Sequence, residues 1–212
     1  MEIWDLYDEN QNLTGKTHER GNVIPEGFYH LVVHVWIKNN KGEYLITKRA
    51  ENRETYPLMF ECVSGSVLQG ETSKEGAIRE VIEEVGLDFK NKKGKLVKTL
   101  CRKEFNGKPY NDILNVWLYE YDGEVDLSKA TTDEVCEAKW VILKEIKEIE
   151  DAGFLVPSLD YIYELDKSLK EKKEKQKKLN KNKQKSKYNS DKNKYFAYYD
   201  DIKHASHKVI DW

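Results

Sequence analysis

Residues 65–87 read GSVLQGETSKEGAIREVIEEVGL, and this stretch carries the strongest local signals in the sequence. Thr72 stands three residues before Glu75, the spacing of a capping box, so a helix is predicted to begin at about residue 73. Gly86 is placed to end that helix in a left-handed turn. Aliphatic residues at helical spacing fall on one side of it: Ile78, Val81, Ile82 and Val85. The stretch therefore predicts a loop followed by an amphipathic helix over about residues 73–85.

Three glutamates project from the other side of the predicted helix. Glu80, Glu83 and Glu84 have i, i+3 and i+4 spacing, which brings their side chains together. Like charges this close repel one another and do not help folding. Hard oxygen ligands gathered in this way suit Mg²⁺ or Mn²⁺. The alternative is a solvated acidic face, but a glycine, a glutamate and an arginine at fixed distances before the cluster favour the metal site.

The whole stretch resembles the Nudix box, G-x5-E-x7-R-E-U-x-E-E-x-G-U, in which U is aliphatic. The resemblance implies an α+β chain of the α/β/α sandwich type, in which a central mixed β-sheet lies between helices. It also implies a hydrolase that cleaves a diphosphate linkage with divalent metal ions. It assigns metal binding to the three glutamates and to the backbone carbonyl of Ser64, and a bracing charged pair to Arg79 and Glu71. The expected catalytic residues are thus Glu80, Glu83, Glu84, Arg79 and Glu71.

The sequence before the box is similar to a subgroup related to type I isopentenyl-diphosphate isomerase. The segments EIWDLYD and YHLVVHVWIKNNKGEYLITKR carry this similarity. It offers a rival activity, in which an allylic carbon is protonated and deprotonated without hydrolysis. The isomerases use a cysteine and a histidine where this chain has Ser64 and Ser66. Serines cannot do that acid–base work, so hydrolysis is favoured; Cys62, two residues away on the same strand face, is a weak substitute.

The remaining sequence up to residue 165 predicts more strands than helices, interspersed along the chain. A β-hairpin is expected within residues 2–20, since strand-like segments flank a polar turn. We predict three regions: an N-terminal hairpin region at 1–28, a Nudix domain at 29–165 and a Lys-rich helical extension at 166–212. Strands are predicted at Tyr29–Ile37, Glu43–Arg49, 60–68, Leu96–Phe105, Ile113–Tyr121 and Lys139–Val141, and helices at Lys144–Asp151 and from Ser158 onward.

The net charge of -2 conceals two oppositely charged parts. Residues 1–166 contain 21 Lys and Arg against 32 Asp and Glu, whereas residues 167–212 contain 15 against 6. The lysine run permits a third hypothesis, a non-catalytic module that binds a diphosphate ligand or RNA. It lacks arginine and interleaved aromatic residues, so a solubilising extension is favoured over a nucleic-acid contact.

An aromatic stripe at helical spacing over residues 195–210 predicts a short helix that docks on the domain, on a partner or in a homodimer.

Weaker candidates lie outside the box. Lys48, Arg49 and Arg53 follow a strand, where they would either bind substrate phosphates or lie in a solvated loop. His30 matches a metal-binding position of the isomerase relatives, but a polar residue on the sheet surface is the favoured interpretation because its partner histidine is missing. Glu134 stands where relatives often place another carboxylate, although a plain loop acid is favoured.

The bulk sequence excludes several other classes. No basic start followed by an apolar run marks a signal peptide, and no stretch approaches the ~20 apolar residues of a membrane span. Cys62, Cys101 and Cys136 are odd in number and unrelated in spacing, which is typical of reduced thiols. We therefore expect a soluble cytoplasmic protein that acts on a small-molecule diphosphate, with no membrane partner.

Overall fold

The computed structural model describes residues 2–105 and 108–183. The aromatic stripe at 195–210, with the helix and docking contact predicted for it, lies outside these residues. The chain divides into two compact units, Met1–Tyr161 and Ile162–Trp212. All of the site residues predicted from the sequence belong to the first unit.

The first unit is built on strands whose register places the site. In the described part of the chain, seven strands form a mixed sheet in which β3 and β8 pair in parallel and the other pairs are antiparallel. Two further strands form the N-terminal hairpin. The strands are β1 Ile3–Tyr7, β2 Leu13–Glu19, β3 His30–Lys38, β4 Tyr44–Arg49, β5 Phe60–Glu61, β6 Val63–Ser66, β7 Lys95–Phe105, β8 Lys108–Glu120 and β9 Val135–Val141.

Two α-helices pack with these strands, α1 at Ser73–Val85 and α2 at Leu143–Asp151. The α+β class with a mixed sheet, expected from the sequence, is confirmed. Short 3-10 turns occur at Leu127–Lys129 and Pro157–Leu159. The helix predicted from Ser158 onward begins later, because the chain after Pro157 first forms a 3-10 turn and the α-helix runs over residues 162–183.

The capping box forms as predicted and fixes where α1 begins. The Thr72 hydroxyl accepts a hydrogen bond from the Glu75 backbone N–H at 3.3 Å, and the Glu75 carboxylate accepts one from the Thr72 N–H at 2.8 Å. Gly86 ends the helix at φ 69°, in the left-handed region that favours glycine. Both ends of the helix are therefore fixed by local hydrogen bonds.

The core lies between α1 and one face of the sheet. The odd-numbered residues of β3 from Leu31 to Ile37 are buried with Ala77, Val81 and Val85 of α1 in one cluster. Alternation along the strand sends the even-numbered side chains to the opposite face. That second face is free to carry polar groups, and the candidate site lies there.

The second unit contains the helix over residues 162–183, whose side chains are exposed throughout residues 171–183. The lysine-rich segment is thus a solvated helix as far as residue 183. Among the residues that the structure describes, every helix falls short of the length or apolar character that a membrane span requires.

Candidate active site

A cavity of about 340 Å³ opens over the even-numbered face of the sheet. Strand register builds its floor: His34 pairs with Ser64, Val32 with Ser66, and His30 with Asp112, which in turn pairs with Arg102. Paired residues on adjacent strands project to the same face. Side chains that are far apart in the sequence therefore line one cavity, together with Glu80 and Glu83 of α1.

The acidic face of α1 is buried, contrary to the simple two-sided helix predicted from the sequence. Glu80 and Glu84 are only 8% and 4% exposed, whereas Ile78 and Ile82 remain partly exposed. Ile78 and Ile82 line an open groove of about 700 Å³ on the other side of the helix. Glu61 and Glu80 line the smaller cavity and not the larger groove, so the smaller cavity is the chemically equipped one.

Gly65 explains how Glu80 comes so close to strand β6. A Cβ atom at residue 65 would lie 1.9 Å from Glu80 Oε1. Any side chain there would push the carboxylate away. The glycine that begins the predicted motif thus provides the space in which Glu80 lies.

Arg79 holds the loop, the strand and the helix together. Its guanidinium donates to both oxygens of Glu71 at 2.9 and 3.1 Å and to the Ser66 carbonyl at 2.7 Å. Its Nη1 also donates to Glu80 and Glu83, at 2.8 and 2.9 Å. A planar guanidinium with several donors suits this shared role better than a lysine would. The predicted bracing pair of Arg79 and Glu71 is therefore present in the geometry.

Glu61 is a site residue that the sequence analysis missed. It is 7% exposed, and its carboxylate contacts Arg49 Nη1 at 2.5 Å and accepts a hydrogen bond from the Ser64 hydroxyl at 3.1 Å. The sequence held a signal: an acid stands between the apolar residues Phe60 and Cys62 in a segment predicted to be a strand. Buried carboxylates are rare unless they are paired or functional.

The carboxyl groups of Glu61, Glu80 and Glu84 are held in an unfavourable environment. Burial raises the pKa of Glu80 to about 8, despite the neighbouring Arg79. Burial, then the negative charges of Glu61 and Glu80, raise the pKa of Glu84 well above its usual value. Burial also raises the pKa of Glu61, although Arg49 opposes the shift. Without a further positive charge, burial shifts all three carboxyl groups towards their neutral forms.

The arrangement fits a divalent cation. One oxygen of Glu84, Oε2, is buried and has no hydrogen-bond partner, while Oε1 accepts a long 3.4 Å bond from the Ser64 N–H. Carboxylate oxygens are the donors that Mg²⁺ and Mn²⁺ prefer. Within residues 2–105 and 108–183, no three His, Cys, Asp or Glu side chains are already arranged as a metal cage. Glu80 and Glu83 instead point to Arg79, from which they would have to turn.

The basic residues predicted to bind phosphate separate into two groups. Arg49 and Arg53 line the cavity, and Arg53 Nη2 lies 2.8 Å from Glu134 Oε2, which brings Glu134 to the site as well. The Nε of Arg53 is buried without a hydrogen-bond partner. Lys48 does not line the cavity: its Nζ lies 5.5 Å from the centre of the Phe60 ring and 4.0 Å from Glu137. The structure therefore does not bring Lys48 to the site, because successive residues of a strand point to opposite faces.

Two histidines border the cavity as neutral rings. His30 stacks on Trp4 with ring centroids 4.3 Å apart, and burial lowers its pKa to about 4. Burial lowers the pKa of His34 to about 3, and its Nδ1 lies 2.8 Å from the Tyr161 hydroxyl. Both rings are held by protein partners. His30 thus shares the cavity with the glutamates, and its predicted metal-binding role stays a prediction.

Cys62 does not reach the cavity. It is fully buried, and burial raises the pKa of its thiol well above the usual value. A buried neutral thiol outside the cavity cannot exchange protons with a ligand inside it. The cysteine that could have replaced the isomerase residue is therefore unsuited to that task, and Ser64 and Ser66 stand at the cavity instead.

The burial of the Glu84 carboxyl group predicts that this residue destabilises the metal-free protein. In metal-free protein at about pH 8, Glu84→Gln should raise the free energy of unfolding by about 1–3 kcal/mol, because it removes a buried carboxyl group that resists ionisation. The raised pKa of Glu84 lowers the stability of the wild-type protein as pH rises above the pKa that this carboxyl group has in the unfolded chain. The stability gained by Glu84→Gln should therefore shrink towards pH 5, where Glu84 is neutral in the folded state. Thermal or urea unfolding at the two pH values measures this.

Glu83→Gln is the matched control, since Glu83 lies on the same helix but is partly exposed and paired with Arg79. This variant should not be stabilised. An equal gain for Glu84→Gln at both pH values, or a loss at both, would contradict the charge explanation.

Comparison with known proteins identifies the family. The family model of the NUDIX domain matches residues 28–161. An uncharacterised Nudix hydrolase of Listeria innocua is 36% identical over 168 residues, which cover 78% of this chain and 95% of the relative. Another, of Listeria monocytogenes, is 36% identical over 158 residues, covering 74% and 89%. The crystal structure of a MutT protein from Methanosarcina mazei has a TM-score of 0.54 and 29% identity, and covers 67% of this chain and 96% of that one.

A more distant similarity reaches the isomerases. An isopentenyl-diphosphate Delta-isomerase of Corynebacterium diphtheriae is 27% identical over 131 residues, covering 61% of this chain and 64% of that protein. The family match and the two Listeria relatives are much stronger. The chain belongs to the Nudix hydrolase family, whose members are pyrophosphohydrolases that act on phosphoanhydride bonds.

Proposed function

We propose that this protein uses Mg²⁺, or Mn²⁺ in its place, to hydrolyse the diphosphate linkage of a nucleoside diphosphate derivative or a small organic diphosphate. One observation carries the proposal: the unpartnered oxygen of Glu84, buried among carboxyl groups beside the cavity. Carboxylates that destabilise the protein on their own are suited to a cation that arrives with an anionic substrate.

The proposed metal ligands are Glu80, Glu83 and Glu84 with the Ser64 carbonyl, and Glu61 joins them as a carboxylate that accepts from the Ser64 hydroxyl. A divalent cation held there supplies positive charge that neutralises the phosphate oxygens during phosphoryl transfer. Arg79 and Glu71 keep the loop and the helix in register. Arg79 would release Glu80 and Glu83 to the cation while its bonds to Glu71 and Ser66 persist.

In the proposed reaction, the oxygen of a water molecule bonds to one phosphorus atom and the bridging P–O bond breaks. One carboxylate of the cluster accepts the proton that the water loses. The second phosphate leaves with the electron pair of the broken bond. The net change is one phosphoanhydride and one water converted into two phosphate-bearing products.

Arg53 and Arg49 are proposed to hold substrate phosphate. The buried, unpartnered Nε of Arg53 supports this role, because a buried donor without an acceptor is costly unless a ligand supplies one. The Glu134 carboxylate pairs with Nη2 of the Arg53 guanidinium. Arg49 is anchored by Glu61 and by the Thr55 carbonyl, so both guanidinium groups are fixed before a substrate binds.

Isomerisation of an allylic diphosphate is the second candidate, and the similarity to an isopentenyl-diphosphate isomerase is what favours it. The cavity argues against it, since serines 64 and 66 occupy the acid–base positions and Cys62 is sealed in the core.

Hydrolysis and isomerisation are separated by one assay. Purified protein with MgCl₂ should release phosphate or a monophosphate from a panel of diphosphates and form no dimethylallyl product from isopentenyl diphosphate. Glu84→Gln should lower kcat/KM by about 100-fold or more, because the ligand set loses a charged oxygen. Glu148→Gln, an exposed acid on α2, should retain full activity. Equal hydrolysis by wild type and Glu84→Gln, or formation of dimethylallyl diphosphate, would refute the proposal.

The proposed phosphate-binding role is tested by replacing a basic residue that lines the cavity and one that does not. Arg53→Met should raise KM for an active diphosphate about 10-fold or more, since it removes charged donors at the cavity. Lys48→Met is the control, because Lys48 faces away from the cavity and should change KM less than about two-fold. Steady-state kinetics measures both, and a larger effect at Lys48 than at Arg53 would overturn the assignment.

A further inference from the structure

The helix over residues 162–183 carries positive charge that the proposed hydrolysis does not use. From residue 171 to residue 183 every side chain is exposed, and this stretch contains seven lysines and two acids. It is about 18 Å long at the rise of an α-helix. Just before it, Lys170 forms an ion pair with Asp166 at 2.6 Å. The exposed stretch therefore presents a strongly basic surface.

The charges are sorted onto two sides of this helix. At 3.6 residues per turn, both glutamates fall within one arc of about 100°, together with three lysines. We call this arc the mixed face, and it consists of Lys167, Glu171, Glu174, Lys175 and Lys178. The opposite arc is also about 100° wide and contains lysines and amides but no acid. We call it the basic face, and it consists of Lys172, Lys173, Gln176, Asn180 and Lys183.

A hydrogen bond within the basic face supports this arrangement. Gln176 Nε2 donates to Asn180 Oδ1 at 2.9 Å, so these two amides project from the same side of the helix. Lys172 and Lys183 lie along one edge of the pair, and Lys173 lies along the other edge. The basic face is thus a row of amides between lysines.

Pairing within the helix accounts for lysines of the mixed face but not for those of the basic face. Lys175 follows Glu171 by four residues and Lys178 follows Glu174 by four, which is the order that stabilises a helix. The three lysines of the basic face have no acid three or four residues away in either direction. Solubility alone does not require that the two signs of charge be kept apart. The basic face therefore suits an anionic partner.

The composition of the helix argues against a membrane surface as that partner. A helix that lies in a membrane interface buries a broad apolar face among the lipids. Leu179, which is 49% exposed, is the one large apolar side chain among residues 171–183. The basic face instead suits a hydrated polyanion.

The lack of aromatic residues narrows the class of polyanion. Proteins that bind single-stranded nucleic acid stack the bases on aromatic rings, and residues 171–183 contain none. A duplex places no such demand, because its bases stay stacked and lysines reach its phosphates from outside. A double-stranded nucleic acid is therefore favoured over a single strand.

Shape favours DNA over RNA. With its side chains, an α-helix is about 10–12 Å across. The major groove of B-form DNA is about 12 Å wide and admits a helix, whereas the major groove of A-form RNA is deep and narrow. In the DNA groove, lysines at the two edges of the basic face would reach phosphates while Gln176 and Asn180 face the bases.

We propose that the basic face lies in the major groove of double-stranded DNA and binds the phosphates without selecting a base sequence. Phosphate contacts carry no sequence information. The surface belongs to the second unit, and the inference does not depend on the proposed hydrolysis.

The first test measures binding of the full-length wild-type chain to fluorescent DNA duplexes by anisotropy. At low salt, Kd for a duplex of about 20 base pairs should be about 100 µM or lower. The logarithm of the binding constant should fall with the logarithm of salt concentration with a slope of about -3 or steeper, because each lysine contact contributes about 0.9. Two duplexes of different sequence should bind equally within about two-fold.

The same measurement covers the competing partners. The probes are a DNA single strand, an RNA duplex of the same sequence, and vesicles of phosphatidylglycerol and phosphatidylcholine in equal parts. Each should bind more weakly than the DNA duplex. Failure to bind the DNA duplex at low salt, or tighter binding to any of these probes, would overturn the inference.

The second test removes three positive charges from one face at a time. Combined Lys172→Gln, Lys173→Gln and Lys183→Gln should raise Kd for the DNA duplex about 10-fold or more and make the salt slope shallower by about 2 or more. The matched control combines Lys167→Gln, Lys175→Gln and Lys178→Gln. It removes the same charge from the mixed face and should raise Kd less than about three-fold. Equal losses in the two variants would show attraction by net charge alone and would contradict a basic face.

Helical structure is checked by circular dichroism, since glutamine and lysine have similar helix propensities. If a triple variant loses the helix, the single variants Lys173→Gln and Lys178→Gln make the same comparison. The first should make the salt slope shallower by about 1, and the second should leave it unchanged. Equal slopes for these two single variants would also reject the basic face.

Discussion

The burial of several neighbouring carboxyl groups is the constraint on which the rest of the site depends. Burial raises the pKa values of Glu61, Glu80 and Glu84, and negatively charged neighbours add to the shift at Glu80 and Glu84. Folding alone would not select such a cluster, because each ionised group costs free energy in a poorly hydrated place. Under the proposed function, the surrounding structure holds these groups together until a cation neutralises them.

Three features of the chain supply that support. The capping box and the left-handed Gly86 fix both ends of α1, so its carboxylates occupy defined positions. Gly65 leaves room for Glu80 against strand β6, and Arg79 shares its donors among Glu71, the Ser66 carbonyl and the cluster. The hydrophobic packing of α1 against the odd-numbered face of β3 stabilises the fold and offsets the free-energy cost of burying the acidic side chains.

The sequence predicted local features well, since their causes lie within a few residues. The limits of α1 follow from Thr72, Glu75 and Gly86, and the hairpin follows from two short strand-like segments around a polar turn. The fold class follows from the order of these elements. The same reasoning placed the glutamates on a face away from the aliphatic residues, yet the close approach of Glu80 to strand β6 depends on Gly65, which lies outside the helix.

The side-chain contacts that could not be predicted from the sequence depend on the register between strands that are far apart in the chain. Arg102 meets Asp112 only because β7 pairs with β8 at that step, and Asp112 meets His30 only through the parallel pairing of β3 with β8. Lys48 and Arg49 are adjacent and both positively charged, so the sequence alone did not show which of them faces the cavity. Glu61 stood between apolar residues in a predicted strand, but its burial became visible only in the structure.

The most direct test of the cation site is the stabilisation of wild-type protein by MgCl₂ as a function of pH. The folded-state pKa of Glu80 is raised to about 8, so its neutral form stabilises the metal-free protein at low pH, and that contribution is lost as pH rises towards 8. Protons compete with the cation for the same oxygens. Thermal unfolding should therefore show a Tm increase with MgCl₂ of several degrees at about pH 8.5 and little at about pH 5.5. No increase at either pH, or an equal one at both, would contradict a cation site built from these carboxylates.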